Sequence, residues 1–388
     1  MKYWPLLVVL VLSLVVALPA GAAPRSPGAP AICNPLSGTW ASIAANSTTV
    51  VRNVGVWFPA NGKFYSLGGR TADGTGNDIV NPREYDPVAD TWTTKTAAFG
   101  DLQVDNMVAG IVDFGSGPLI VIVGGSAGGQ TVATAEVRTY DPVADTLTVL
   151  AADPWPGAAA GDTLPGSAAV YNNKLYVFGG FVINVSMVNT VYEFDPMAAA
   201  GSRWTLKTAV LPVALGYIPT ATIGSYIYLA GGSEYDGSVT DTQALYRYDP
   251  AADSFTTLAS LTTATSNTKA VTMFGETMWV LGGGFGATVQ DVQVYDPVAN
   301  TWTAGPIVPD ARRNFAADID PATGKIYASG GYLDSAPTDA SLAFTACVPT
   351  SVTVSSVQAT SGAYGLWALA AVAGLAVLAF VLFRRQRA

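Results

Sequence analysis

Met278-Trp279-Val280-Leu281-Gly282-Gly283, followed twelve residues later by Tyr295-Asp296-Pro297-Val298-Ala299-Asn300-Thr301-Trp302, is the stretch whose reading decides the fold. The run before Gly282 is apolar on both faces, as in a strand packed between two neighbours. A glycine pair ends such a strand where the chain needs positive φ or a close backbone approach. Asp-Pro is turn chemistry, because proline presets φ and the aspartate accepts from nearby amides. The tryptophan after the turn starts a further short strand and fills a wedge between packed sheets.

The pattern occurs six times. Gly-Gly closes an apolar run at Gly69, Gly125, Gly180, Gly232, Gly283 and Gly331, at spacings of 56, 55, 52, 51 and 48 residues. An aromatic-Asp-Pro follows in five of the six, at Tyr85, Tyr140, Phe194, Tyr248 and Tyr295, and Trp92, Leu147, Trp204, Phe255 and Trp302 come soon after. Repeats of this length, with four short strands each and no helical periodicity, predict one propeller blade per repeat. The fold class is therefore all-β, a six-bladed β-propeller.

These motifs resemble the kelch repeats, and the resemblance covers residues 31–349. Many kelch repeats carry an arginine in the loop after the tryptophan; here only Ala311-Arg312-Arg313-Asn314 keeps one. Galactose oxidase has a propeller of this type, with copper held by histidines and a cysteine cross-linked to tyrosine. This chain has no histidine, so that copper site is excluded.

The sixth repeat lacks its outer strand. Ile32 to Trp40 aligns without a gap on the Tyr-Asp-Pro-to-Trp segment of a full repeat, so the N-terminal strand around Trp40 is expected to complete the last blade. Cys33 falls at the tyrosine position of that segment. Cys347, sixteen residues after Gly331, is placed at the tyrosine position of the same blade. A Cys33–Cys347 disulfide that locks the ring is expected, in a compartment that allows it.

Without histidine there is no Ser-His-Asp or Cys-His site and no histidine ligand for zinc or copper. Carboxylates remain. The loops after each Gly-Gly and after each tryptophan share one face, and they carry Asp73, Asp78, Asp101, Asp105, Asp153, Asp162, Glu234, Asp236, Asp241, Asp310, Asp334 and Asp339. Their bases are Arg70, Lys95, Lys207, Arg312 and Arg313, so the face is expected to be negative. The candidate ligand-binding residues are Arg312, Arg313, Asn314, Arg70, Asp73 and Asp236, with the two adjacent arginines suited to a carboxylate or sulfate. No catalytic residue and no cofactor is assigned. Asp73, Asn77 and Asp78 stand at spacings reminiscent of a calcium loop but lack its closing glutamate. Asn46-Ser-Thr48 and Asn184-Val-Ser186 fit the N-glycosylation pattern.

The ends read differently. Lys2, the apolar run Leu6 to Leu18 and Ala20-Gly21-Ala22 make residues 1–22 a secretory signal peptide, with an uncleaved anchor as the alternative. Residues 23–30 are a linker and 350–364 a Ser/Thr-rich stalk. Residues 365–383 carry no charge and reach about 28 Å as a helix, the depth of a bilayer core. They are read as a transmembrane helix, or alternatively a processed sorting tail, with 384–388 as a basic cytoplasmic tail. The expected location is the outer face of a cell membrane, as a single-pass protein with its C-terminus cytoplasmic.

The whole chain carries 19 basic and 28 acidic residues, a net charge of −9. Lys2, Arg384, Arg385 and Arg387 lie in the end segments; without them 15 basic residues face 28 acidic, a net of −13. Nucleic acid is excluded as a partner, since phosphate binding needs a basic surface. The function expected is a non-catalytic cell-surface propeller that recognises a protein or a glycan. The alternative is a secreted carbohydrate-active enzyme using loop carboxylates.

Overall fold

The computed structural model describes residues 34–74 and 76–346, which form six four-stranded antiparallel sheets and two small hairpins. Blade 1 comprises Val54–Phe58, Lys63–Leu67, Arg83–Asp86 and Thr91–Thr94. Blade 2 comprises Val108–Asp113, Pro118–Val123, Val137–Asp141 and Thr146–Val149. Blade 3 has longer strands, Thr163–Tyr171, Lys174–Val182 and Ser186–Phe194, then Trp204–Leu206. Blade 4 is Thr220–Ile223, Tyr226–Ala230, Leu245–Asp249 and Ser254–Thr257. Blade 5 is Ala270–Met273, Thr277–Gly283, Val289–Asp296 and Thr301–Ala304. Blade 6 takes Ala316–Asp320, Lys325–Ser329 and Ser341–Thr345 from one end of the chain and its outer strand, Thr39–Ile43, from the other. The expected ring closure is therefore present, with Trp40 opposite Phe344.

That register corrects one expectation. Tyr85 stands opposite Trp92 in blade 1, and Phe344 holds the matching place opposite Trp40. The tyrosine position of blade 6 thus belongs to Phe344, three residues before Cys347. Phe344 packs on Trp40 and Trp279 with ring centroids 5.3 Å apart in each case. Cys33 and Cys347 lie outside the described residues, and so does their expected pairing.

The core is divided rather than single. Six apolar clusters each fill the wedge between two neighbouring blades. Trp57, Phe64 and Tyr85 of blade 1, for example, pack against Ala316, Tyr327 and Ala343 of blade 6. Trp57 stacks on Tyr327 at 5.2 Å and 8°. Where the blades converge, the inner strands have little room. A Cβ added to Gly55 would sit 2.4 Å from the backbone nitrogen of Ala317 in blade 6.

The repeated motifs turn out to be junctions between blades. All six Gly-Gly pairs have positive φ at both positions. At Gly68 a side chain would meet the carbonyl oxygen of Val104 at 2.3 Å, in the loop that enters blade 2. The next amide, Gly69 N–H, donates to that same oxygen at 2.8 Å. In the Asp-Pro turn, Asp86 accepts from Val88 N–H at 2.8 Å, as turn chemistry requires.

The residue four places later does more. Asp253 sits in the left-handed region, φ 48°, accepts the Tyr248 hydroxyl at 2.7 Å, and accepts the amide of Thr208 from the preceding blade at 2.9 Å. Asp145 repeats this with Tyr140 and Thr96, and Asn300 with Tyr295 and Ala259. Trp92 and Trp302 donate their indole N–H to Ala44 and Ala259 of the preceding blades' exits, at 2.9 and 2.8 Å.

The signal peptide (1–22), linker (23–30), stalk (350–364), transmembrane helix (365–383) and basic tail (384–388) all fall outside the described residues. The expected location on the outer face of a membrane is corrected. Among the described residues no helix is long and apolar enough to cross a membrane, and the assignment to a membrane surface is withdrawn.

Two outcomes follow from the junctions. Gly55→Val forces a side chain into the backbone of blade 6 and is expected to cost about 1–3 kcal/mol, read from urea denaturation. Burial opposes ionisation of Asp253, but its bonds from Thr208 and Tyr248 outweigh this and hold the carboxyl at about 2. A depressed folded pKa stabilises above the unfolded value, about 4, and that stability is lost as pH falls towards 2. Asp253→Asn keeps the acceptor, as Asn300 does in blade 5, and removes the titration. The stability gap between wild type and Asp253→Asn should therefore shrink as pH is lowered from 6 to 2; a constant gap would refute the assignment.

Candidate functional site

One end of the central channel is built by the loops after each Gly-Gly and the loops that enter each inner strand. Just before the inner strands stand Arg52, Asn106, Tyr217, Asn267 and Asn314, all with φ between 53 and 62°. Side chains other than glycine adopt this conformation at a cost, and asparagine most readily. The reward is a chain of backbone bonds from blade to blade. Asn106 N–H donates to Arg52 O at 3.0 Å and Arg52 N–H to Asn314 O at 2.8 Å. Asn314 N–H donates to Asn267 O at 2.7 Å and Asn267 N–H to Tyr217 O at 3.1 Å. Blade 3 interrupts the series: its inner strand runs on through Pro165 and Gly166, and Gly166 O accepts from Ile218 N–H at 3.0 Å.

These residues frame a cavity of about 120 Å³ that opens between all six blades. Two guanidiniums share one carboxylate at its rim. Arg52 Nε lies 2.7 Å from Asp73 Oδ1, and Arg313 Nη2 lies 3.6 Å from Asp73 Oδ2. The Arg313 guanidinium also sits 5.2 Å from the centroid of Phe285 and 5.0 Å from that of Tyr332, so both rings flank the cation. Phe285 is 41% exposed. Tyr217 accepts from Gln130 on the opposite side, and burial pushes its hydroxyl far above the usual tyrosine range.

The candidate residues named from sequence fall into three settings. Arg313, Asn314 and Asp73 meet at the mouth. Arg312 is wholly buried; it donates to Gly330 O at 2.9 Å and Ala340 O at 3.2 Å, and pairs with Asp310. Arg70 is buried between blades 1 and 2, where its Nε lies 3.7 Å from Asp78 and 4.0 Å from Asp105. Asp105 is fully buried, and that burial pushes its carboxyl up to about 7, more than the Gly129 amide bond and the Arg52 and Arg70 guanidiniums lower it. Asp236 is exposed at the tip of the Ser233–Tyr235/Val239–Asp241 hairpin. Of the calcium-loop candidates, Asp73 and Asp78 face arginines and the Asn77 amide donates to Thr71 Oγ1.

The expected uniform negative charge resolves into a pattern. Asp101 pairs with Arg138, Asp153 with Arg203 and Asp310 with Arg312. Asp162, Glu234, Asp236 and Asp339 stay exposed on this face, while the mouth holds two arginines to one aspartate. The face is thus acidic outside and basic at the centre. Arg52, Asn106, Tyr217, Asn267 and Lys269 were not singled out from sequence. The signal of the first four is a polar residue two or three places before the inner strands of blades 1, 2, 4 and 5, legible only once the strands are placed, and Lys269 stands one place before that of blade 5.

The description KLHDC2/KLHL20/DRC7 Kelch-repeats domain matches residues 115–331, from blade 2 to the last Gly-Gly. Kelch-like protein terF of Aspergillus terreus is 28% identical over 284 residues, 68% of this chain and 57% of its own. Kelch-like protein 25 of Xenopus tropicalis is 27% identical over 256 residues, 64% of this chain and 39% of its own. The chain therefore spans less than two thirds of these relatives. The solved structure of YjhT superposes with a TM-score of 0.61 at 16% identity, covering 77% of this chain and 96% of that one, a likeness of fold. With the repeats, the six blades and a family match over more than half its length, this chain belongs to the kelch-repeat β-propeller family.

Proposed function

We propose that this propeller is a non-catalytic interaction module that presents the mouth of its channel to a protein partner. The observation that carries the reading is the Phe285–Arg313–Tyr332 stack beside Arg52, held on a backbone-bonded ring. Arginine and aromatic side chains dominate binding energy at protein interfaces, and a rigid base spares the entropy of ordering them. The surrounding acids, Asp162, Glu234, Asp236 and Asp339, form a polar rim.

What supports binding over carboxylate catalysis is the state of the acids. Asp73, Asp78, Asp101, Asp153 and Asp310 each face an arginine within 4 Å, which ties these five carboxylates up in ion pairs rather than leaving them to act as an acid–base pair. The reading calls on no cofactor. A glycan ligand is the other class this face would accept, by stacking on Phe285.

The test is quantitative affinity purification with wild type and with Arg52→Ala/Arg313→Ala, followed by titration of the recovered partner as a purified protein. The double variant is expected to weaken binding by about tenfold to a hundredfold, while Asp236→Ala on the rim changes it little. Equal affinities for wild type and double variant would overturn the reading. A glycan array run in parallel separates the ligand classes; turnover of a bound glycan would replace the module with an enzyme.

A further inference from the structure

The small hairpin Ser126–Ala127/Val132–Ala133 reaches from blade 2 past blade 3, where the series of left-handed residues is interrupted. At its tip Gln130 donates its side-chain amide to the hydroxyl of Tyr217, the residue that lines the mouth cavity at the entry of blade 4. The turn is made by Gly128 and Gly129, at φ 58° and 86°. Their two amides are given to two carboxylates of the loops beneath: Gly128 N–H to Asp78 Oδ2 at 3.4 Å and Gly129 N–H to Asp105 Oδ2 at 2.8 Å. Residues 126–133 contain no titratable side chain, so what holds the tip down is set by those loops.

Their charges do not balance. Asp78 and Asp105 face one guanidinium, Arg70, whose Nε lies 3.7 Å from Asp78 Oδ1 and 4.0 Å from Asp105 Oδ2, and all three side chains are 9% exposed or less. Among the described residues neither Asp78 Oδ1 nor Asp105 Oδ1 receives a hydrogen bond, and Arg70 Nε and Nη1 make none. Arg70 Nη2 is spent on Gly76 O. The other cation that acts on Asp105, Arg52, is held by Asp73, and on the loop of Asp105 itself Asp101 is held by Arg138. Two buried carboxylates over one cation leave a negative charge that burial opposes. Burial accordingly raises the Asp105 carboxyl to about 7; the Gly129 bond lowers it, the Asp78 charge raises it, and Arg52 and Arg70 lower it.

A proton on Asp105 removes the excess charge while the tip stays in place. Once that proton passes to solvent, only water can relieve the carboxylate, and water reaches it when the glycine tip lifts. We propose that the Ser126–Ala133 hairpin is a proton-operated strap across the channel mouth, closed when Asp105 is protonated and released when it is ionised. With the strap lifted, Asp105 titrates as an ordinary aspartate, near about 4. The closed form therefore keeps its proton to a higher pH than the open one. Its advantage is whole below 4 and is lost as pH rises to about 7, by up to about tenfold per pH unit. Above 7 both forms are ionised and the ratio levels off. Release also frees the Tyr217 hydroxyl, so acid narrows the mouth and neutral pH widens it.

The test is hydrogen–deuterium exchange of the full chain from pH 4.5 to 8, with each amide referred to its unstructured rate at that pH. Protection of Gly128 and Gly129 N–H is expected to fall by about tenfold or more between pH 5 and 7, then level off, with exchange faster than that of the Pro118–Val123 strand throughout. Asp105→Asn is neutral and keeps an acceptor for Gly129, and it should abolish the fall. Asp78→Asn removes the facing like charge; it should move the fall to lower pH, and it serves if Asp105→Asn does not fold. Gln130→Ala should lower protection of the tip at every pH and leave the slope unchanged. A flat profile in wild type, a slope unchanged by Asp105→Asn and Asp78→Asn, or tip amides that exchange only together with the strands of blade 2 would overturn the proposal. The readout needs no ligand, so failure here and failure of the partner interaction at the mouth are told apart.

Discussion

Adjacent blades meet at the axis through backbone hydrogen bonds, and the rest of the architecture depends on how these are made. Strands within a blade satisfy one another, but inner strands of neighbouring blades do not form a ladder. The gap is bridged at the mouth by residues turned into the left-handed region, whose amides and carbonyls then face the next blade. Lower down, threonine hydroxyls serve instead: Thr220 and Thr222 donate to Ala168 O and Val170 O, and Thr272 to Thr222 O, at 2.8–2.9 Å. At the seam between blades 6 and 1 the Asp318 carboxylate takes that role by accepting Trp57 N–H. The axis is thus held by three kinds of donor and acceptor, each suited to the space the converging strands leave.

The outer ends of the blades use a different device with the same effect. The turn that follows Tyr-Asp-Pro in blades 1, 2, 4 and 5 places one side chain, Asp90, Asp145, Asp253 or Asn300, between its own blade's tyrosine and the exit of the blade before it. A residue required locally by the turn is therefore also the clasp between sheets. Blade 3 meets the need in reverse. Asp153, on the exit from blade 2, accepts from Gly201 N–H and Arg203 of the next turn. Strain at the mouth has a different distribution. Asparagine tolerates positive φ, whereas Arg52 and Tyr217 pay more for it, and both project their functional groups to the cavity.

Repeat number, blade order and ring closure were legible in the sequence because each rests on short-range chemistry repeated several times. Gly-Gly, Asp-Pro and tryptophan act within a few residues of where they stand. The binding face was less legible, because its character comes from pairings over long separations. Arg312 and Arg313 are neighbours in sequence, yet one is a buried strut on Gly330 and Ala340 and the other stacks between Phe285 and Tyr332. Counting acids predicted a negative face, but the count could not show that Asp101, Asp153 and Asp310 were already paired with Arg138, Arg203 and Arg312. The tyrosine position of blade 6 was misplaced for a related reason. With no Asp-Pro to mark the turn, only the strand register identifies Phe344 as the residue opposite Trp40.

The split sixth blade has a consequence for how the molecule is made. Its outer strand, Thr39–Ile43, is among the first described residues to leave a ribosome, and its partner, Ser341–Thr345, is among the last. Until Ser341–Thr345 has been made, the early strand has no sheet to join, and the blade 1 surface carrying Trp57, Phe64 and Tyr85 has no cover. Contacts of such long sequence separation form slowly and leave edges open in the meantime. The nascent chain therefore carries an unpaired strand and a bare aromatic face while the five intervening blades are made, and a holding chaperone or slow elongation would act on this protein at that one seam.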